Sequence, residues 1–201
     1  MELVKAIVSG DDATAFGKID SAPSLAAIRF EKMGATRQSA KEYFFQEFGY
    51  IYRGQTALHV AAAIYRVEIV KKLIGAGANV RAADRLGAQP IHLAAMGTPG
   101  SMTWNPSLQS ATIACLVAAG ADPNARDKRG VTPLHRAVRT RCAAAVESLL
   151  DHGSDPRLPN GNGSTPLELA NWTTGRGGSG SPEAREQQAR IVEMLLELPY
   201  P

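Results

Sequence analysis

A six-residue pattern, Gly-x-Thr/Gln-Pro/Ala-Leu/Ile-His/Glu, occurs four times, at Gly54–His59, Gly87–His92, Gly130–His135 and Gly163–Glu168. Its glycines are 33, 43 and 33 residues apart. A period in this range marks a row of small supersecondary units, each too small to enclose a core and obliged to bury its apolar face against the next. A second pattern keeps the same phase: Gly77-Ala78-Asn79, Gly120-Ala121-Asp122 and Gly153-Ser154-Asp155 are separated by 43 and 33 residues, as are Asp84, Asp127 and Asn160. The chain therefore reads as an array, not as a single closed core.

The parts of one unit follow from local chemistry. Thr132 suits a helix N-cap, where its oxygen accepts an orphan amide, and Pro133 suits the first helical position, where no donor is missed. Leu134 then faces inward. The second helix of a unit, for example residues 67–74, carries apolar residues at helical spacing and stops near Gly77, which can adopt the left-handed conformation of a helix stop.

These residues resemble the ankyrin repeat, in which a β-turn finger leads into two antiparallel helices, and the likeness covers about residues 50–201. The resemblance implies an all-α ankyrin-repeat solenoid with β-turn fingers and about four full repeats (54–86, 87–129, 130–162 and 163–201). A degenerate, expanded N-terminal cap over residues 1–53 completes one domain. In the cap, residues 2–9 and 13–19 resemble two helices, with Leu3, Ile7, Phe16 and Ile19 facing inward. Residues 24–33 and 39–48 also show helical periodicity. Among the aromatics that follow, Tyr43, Phe44, Phe45 and Phe48 are expected in the core, while Tyr50 and Tyr52 stand on the first finger as contact anchors.

The 43-residue interval contains a ten-residue excess between His92 and Gly120, which places an insertion around residues 96–104, between the two helices of the second repeat. Asn105-Pro106 restarts the second helix as cap and first residue. Residues 173–181 form a similar excess in the fourth repeat, before a helix opened by Pro182. In the ankyrin geometry both would project side by side from one rim, as surface loops dispensable for folding because loop length costs little free energy.

The chain has 201 residues, 44% hydrophobic and 20% charged, with a formal net charge of +3. That charge is too small to argue for nucleic acid from the total alone. No apolar run reaches a membrane span and the N-terminal residues do not form a signal peptide, so the expected compartment is the cytoplasm. Cys115 and Cys142 fall inside helical patterns in different repeats and are expected as thiols, not a disulfide.

No catalytic signature, cofactor motif or metal set is found. His59, His92 and His135 recur with the repeat, and the resemblance implies that they hydrogen-bond around the finger and helix start, with Glu168 departing from that role. The glycines of residues 175–180 lack the flanking strand and Lys-Ser/Thr of a phosphate loop. The remaining expectation is a non-enzymatic protein-interaction module or scaffold, monomeric, that presents its concave finger and first-helix groove to another protein. Carried over by position from the family, the partner-binding residues are Tyr50, Tyr52 and Arg53, then Arg85 and Leu86, then Arg126, Lys128, Arg129 and Arg139, and finally Trp172. The basic middle of this groove suits a partner with an acidic stretch. The alternative is an anionic-ligand or nucleic-acid binder that uses the basic strip from Arg126 to Arg141.

Overall fold

The computed structural model describes residues 1–31, 44–45, 49–171 and 181–197. Ten α-helices among these residues are arranged as five antiparallel pairs: α1 (Glu2–Ser9) with α2 (Asp12–Ser21), α3 (Ala57–Ala63) with α4 (Val67–Gly75), α5 (Pro90–Ala94) with α6 (Pro106–Ala118), α7 (Pro133–Thr140) with α8 (Ala143–Asp151), and α9 (Pro166–Asn171) with α10 (Pro182–Leu196). The first helix of each pair packs on the first helices of its neighbours, and the second helix on the second, so the stack has two layers. The fold is the all-α ankyrin-type solenoid expected from the repeats.

Local signals start and stop these helices where the sequence places them. Thr132 caps α7 by accepting the His135 amide at 3.4 Å, Pro133 opens the helix, and Asn105 caps α6 by accepting the Leu108 amide at 3.0 Å. The core runs unbroken through the stack: Ile7, Leu58, Ile91, Leu134 and Ile191 are fully buried, one per pair. Leu3 and Ile19 are buried in the cap and Phe16 is half-buried against the core, as expected.

The cap departs from the helical reading over residues 24–31 and at residues 44–45, while residues 32–33, 39–43 and 46–48 of the two stretches lie outside the described residues. Pro23–Ala27 is a short 3-10 turn, after which the backbone extends and Arg29 bridges Thr56. The Phe30 amide donates to the Gln55 carbonyl at 2.9 Å and the Gly54 amide to the Phe30 carbonyl at 2.8 Å. The first finger would otherwise present an unpaired backbone edge, and satisfying that edge outweighs the helical periodicity of this stretch. In the second stretch, β1 (Phe44–Phe45) pairs antiparallel with β2 (Gly49–Tyr50), consistent with the strand preference of aromatic residues. The side chains of Tyr43, Phe44, Phe45 and Phe48, expected in the core, lie outside the described residues. No helix among the described residues is long and apolar enough to cross a membrane.

Candidate functional site

Three of the four fingers are each organised by one carboxylate or amide at the same repeat position. Asp84 Oδ1 accepts the amides of Leu86 and Ala88 at 2.8 and 3.0 Å, Asp127 Oδ1 those of Arg129 and Val131 at 2.8 and 3.0 Å, and Asn160 Oδ1 those of Asn162 and Ser164 at 2.9 and 3.2 Å. Successive fingers are then stitched together through the backbone. The Arg85 amide donates to the Arg53 carbonyl at 2.9 Å, Lys128 to Leu86 at 2.9 Å and Gly161 to Arg129 at 2.7 Å. That close approach explains the motif glycine: at Gly87, with φ +83°, a Cβ would lie 2.8 Å from the Lys128 nitrogen.

The three recurring histidines lock the helix layer to the fingers. His59 Nδ1 accepts the Thr56 amide at 3.1 Å, and its Nε2 lies 3.1 Å from the Ala88 carbonyl of the next finger. An amide can only donate and a carbonyl only accept, so the ring is neutral with its proton on Nε2. His92 repeats this between the Gln89 amide at 3.1 Å and the Val131 carbonyl at 3.1 Å, and His135 between the Thr132 amide at 3.3 Å and the Ser164 carbonyl at 2.9 Å. Burial pushes the His59 and His92 rings down to about 4 and lowers His135 as well. Glu168 keeps only the inward half of the role, accepting the Thr165 amide at 2.8 Å.

Most of the side chains expected to meet a partner are not used by this scaffold. Arg85, Arg126, Lys128, Arg129 and Arg139 are exposed, and none forms an ion pair with a carboxylate among the described residues. Arg53 is exposed too, with Glu31 3.9 Å away. Tyr52 is half-buried under the Arg85 guanidinium, 5.4 Å from the ring centroid, and Leu86 beside it is exposed. Trp172 and the Tyr50 side chain lie outside the described residues, although Tyr50 itself belongs to β2.

The structure alters the basic strip at one position. Arg136 is turned inward: its Nη2 pairs with Asp127 Oδ2 at 3.0 Å, with the two side chains only 13% and 6% exposed. Burial alone would raise the Asp127 carboxyl, but the Arg129 and Val131 amides and the Arg136 guanidinium outweigh it and hold it below its ordinary value. The sequence carried a signal for this pair. Asp84 and Leu93, Asp127 and Arg136, and Asn160 and Leu169 share one spacing, and the single arginine falls where the finger supplies a carboxylate.

The insertion at residues 96–104 is not a free excursion. Trp104 packs against the core and donates from Nε1 to Gln109 Oε1 at 2.9 Å, while Gln109, fully buried, donates to the carbonyls of Ala94 and Met96 at 3.0 and 3.1 Å. Tyr65, itself at φ 58°, donates its hydroxyl to the Met96 carbonyl. Only the tip, with Met102 fully exposed, has the character expected of a loop. The tip of this insertion approaches the start of α10, where a Cβ on Gly100 would lie 3.4 Å from both Ser181 Oγ and Glu183 Oε2; residues 173–180 of the second insertion lie outside the described residues. The two feet, Gly97 and Trp104, frame a cleft of about 810 Å³ together with Tyr52, Leu86 and Leu93.

Residues 53–85 match the family model described as "Ankyrin repeat", and residues 116–170 match that described as "Ankyrin repeats (many copies)". The chain is an ankyrin-repeat protein. The ankyrin matches take in His59 and Asp84 in the first stretch and Asp127, His135 and Asn160 in the second, while His92 and the last helix lie outside them. One relative is the tyrosine-protein kinase Shark of Drosophila melanogaster, 46% identical over 48 residues, which is 24% of this chain and 5% of the kinase. The match thus spans a small fraction of that relative's length. Ankyrin repeats are in general protein–protein interaction modules.

Proposed function

We propose that this ankyrin-repeat protein is a non-enzymatic interaction module of the cytoplasm, one domain over residues 1–201, that binds a partner protein along its fingers and first helices. The observation that supports this reading is the division of labour at the fingers. Asp84, Asp127 and Asn160 are consumed by backbone amides, whereas Arg85, Arg126, Lys128, Arg129 and Arg139 are exposed without ion-pair partners among the described residues. An exposed row of one sign of charge attracts the opposite sign on a partner and accelerates its encounter. The partner therefore presents an acidic stretch to the middle of the groove, with Tyr52, Arg53 and Leu86 as its neighbours on one side and Tyr50 and Trp172 as further contacts.

The test is affinity purification of the native partner with wild-type and Lys128→Glu/Arg129→Glu baits, followed by association kinetics. The fold is expected to survive, because exposed charges contribute only about 0–1 kcal/mol each, while association slows and the wild-type rate falls with added salt. Equal recovery and equal rates with the doubly reversed protein would overturn the reading. The alternative, an anionic-ligand or nucleic-acid binder, loses Arg136 from its basic strip to the internal pair with Asp127. Sequence-tolerant binding with a steep salt slope would favour that alternative.

A further inference from the structure

The insertion at residues 96–104 converts one stretch of the groove into a walled cleft. We infer that this cleft takes one bulky apolar side chain, a Leu, Phe or Trp, from the acidic partner segment. The inference rests on the interaction reading above and adds the determinant that charge alone does not supply.

Three observations carry it. The cleft is flanked by apolar and aromatic side chains from three separate parts of the chain: Tyr52 and Leu86 from the fingers, Ile64 and Leu93 from the first helices, and Met96 and Trp104 from the insertion. It is open on one side, and its volume of about 810 Å³ gives more room than one large side chain needs.

The charged groups lining it already have partners within the protein, with only the buried Arg136 Nε left without a hydrogen bond. Arg66 pairs with Asp12, Arg136 with Asp127, and Asp84 accepts the Leu86 and Ala88 amides. A charged guest in the cleft would lose hydration and find no free counter-ion, whereas an apolar guest gains by leaving water. The bordering surface is different. Arg85 lies over Tyr52, and the Lys128 backbone adjoins Leu86 through its amide bond to the Leu86 carbonyl, so two residues whose cations have no carboxylate partner among the described residues adjoin two of the cleft's lining residues. That juxtaposition fits an apolar anchor with carboxylates close to it in sequence.

The wall is also built in advance. The Trp104–Gln109 bond, the Gln109 bonds to Ala94 and Met96, and the Tyr65 bond to Met96 fix both feet of the insertion, and Gly97 is wedged so tightly that a Cβ would lie 2.7 Å from Trp104 Cδ1. A pre-organised wall lowers the ordering cost of binding.

The test pans a phage library of random twelve-residue peptides against the full chain, then measures synthetic copies of the enriched peptides by fluorescence anisotropy. The expected peptides carry a bulky apolar residue within a few positions of Asp or Glu. Replacing that residue by Ala is expected to weaken binding about tenfold or more, and Leu86→Glu in the protein to do the same. Leu86 is already 39% exposed, so Leu86→Glu is expected to keep the wild-type unfolding midpoint, whereas Trp104→Ala is expected to lower it. Met102→Ala, at the fully exposed tip, is expected to bind as wild type.

Enriched peptides that are acidic but lack an apolar anchor, and whose binding is lost in Lys128→Glu/Arg129→Glu, would overturn the cleft and leave the groove reading standing. Binding indifferent to both Leu86→Glu and the finger reversal would overturn both. Failure to enrich any peptide, or a cleft filled by another segment of this chain, would overturn the cleft, with the groove then judged by the native partner.

Discussion

Acidification should weaken the stack well before its carboxylates begin to protonate. His59 and His92 have rings pushed from 6.5 down to about 4 by burial, each fixed as the neutral Nε2–H form by an amide on one side and a carbonyl on the other. The folded value lies below the unfolded one, so the unfolded chain binds the extra proton. Stability is therefore fully present above pH 6.5, falls as pH drops, and stops falling from this cause near pH 4. One proton of difference amounts to about 1.4 kcal/mol per pH unit. At pH 5 each histidine is expected to have cost about 2 kcal/mol relative to neutrality, and the two together about 4. Asp127, held below its ordinary value, adds its own loss only at lower pH, outside this window. Urea unfolding at a series of pH values from 7.5 to 5 measures the slope, and His92→Gln separates its source. That variant is expected to be weaker at neutral pH, having lost the bond to Val131, yet to show a slope shallower by about one proton. A wild-type free energy that stays level from pH 7 to 5, or an unchanged slope in His92→Gln, would refute the argument.

Leu134, fully buried between neighbouring pairs, is expected to cost about 2–5 kcal/mol as Leu134→Ala in chemical denaturation. Arg136→Leu is expected to cost less than about 2 kcal/mol, below the usual ~3–5 for breaking a buried pair, because Asp84 opposite Leu93 keeps the same turn with backbone amides alone. A loss above that figure in the same assay would show that the guanidinium is essential to the finger. Replacing residues 98–103 by a short turn is expected to shift the unfolding midpoint slightly, whereas Trp104→Ala should lower stability by about 1–3 kcal/mol, since the indole is partly buried against the core. Equal effects of the two changes would contradict the distinction between foot and tip.

The period of the Gly-x-Thr-Pro-Leu-His pattern determines the array, and the cap and stop residues place each helix, because these signals act within one turn of chain. Thr132-Pro133, Asn105-Pro106 and Gly120 need no distant partner to do their work. The same locality made the first two helices of the cap and the position of both insertions legible. Where the partner was distant in sequence, periodicity misled. Residues 24–33 carry a helical rhythm, yet the open edge of the first finger recruits Phe30 as backbone partner for Gly54 and Gln55. The finger cations are exposed side chains, whereas Arg136, eight residues on from Lys128, stands where the flanking repeats carry Leu93 and Leu169. Arg136 turns inward because Asp127 offers a carboxylate that Asn160 does not. Only the tertiary structure decided that the insertion returns to the stack: Trp104 finds Gln109 and Tyr65 finds Met96 across loops and helices. A loop's composition reports how cheaply it can be exposed, while whether its ends are held depends on which buried donors and acceptors the packed helices leave beneath them.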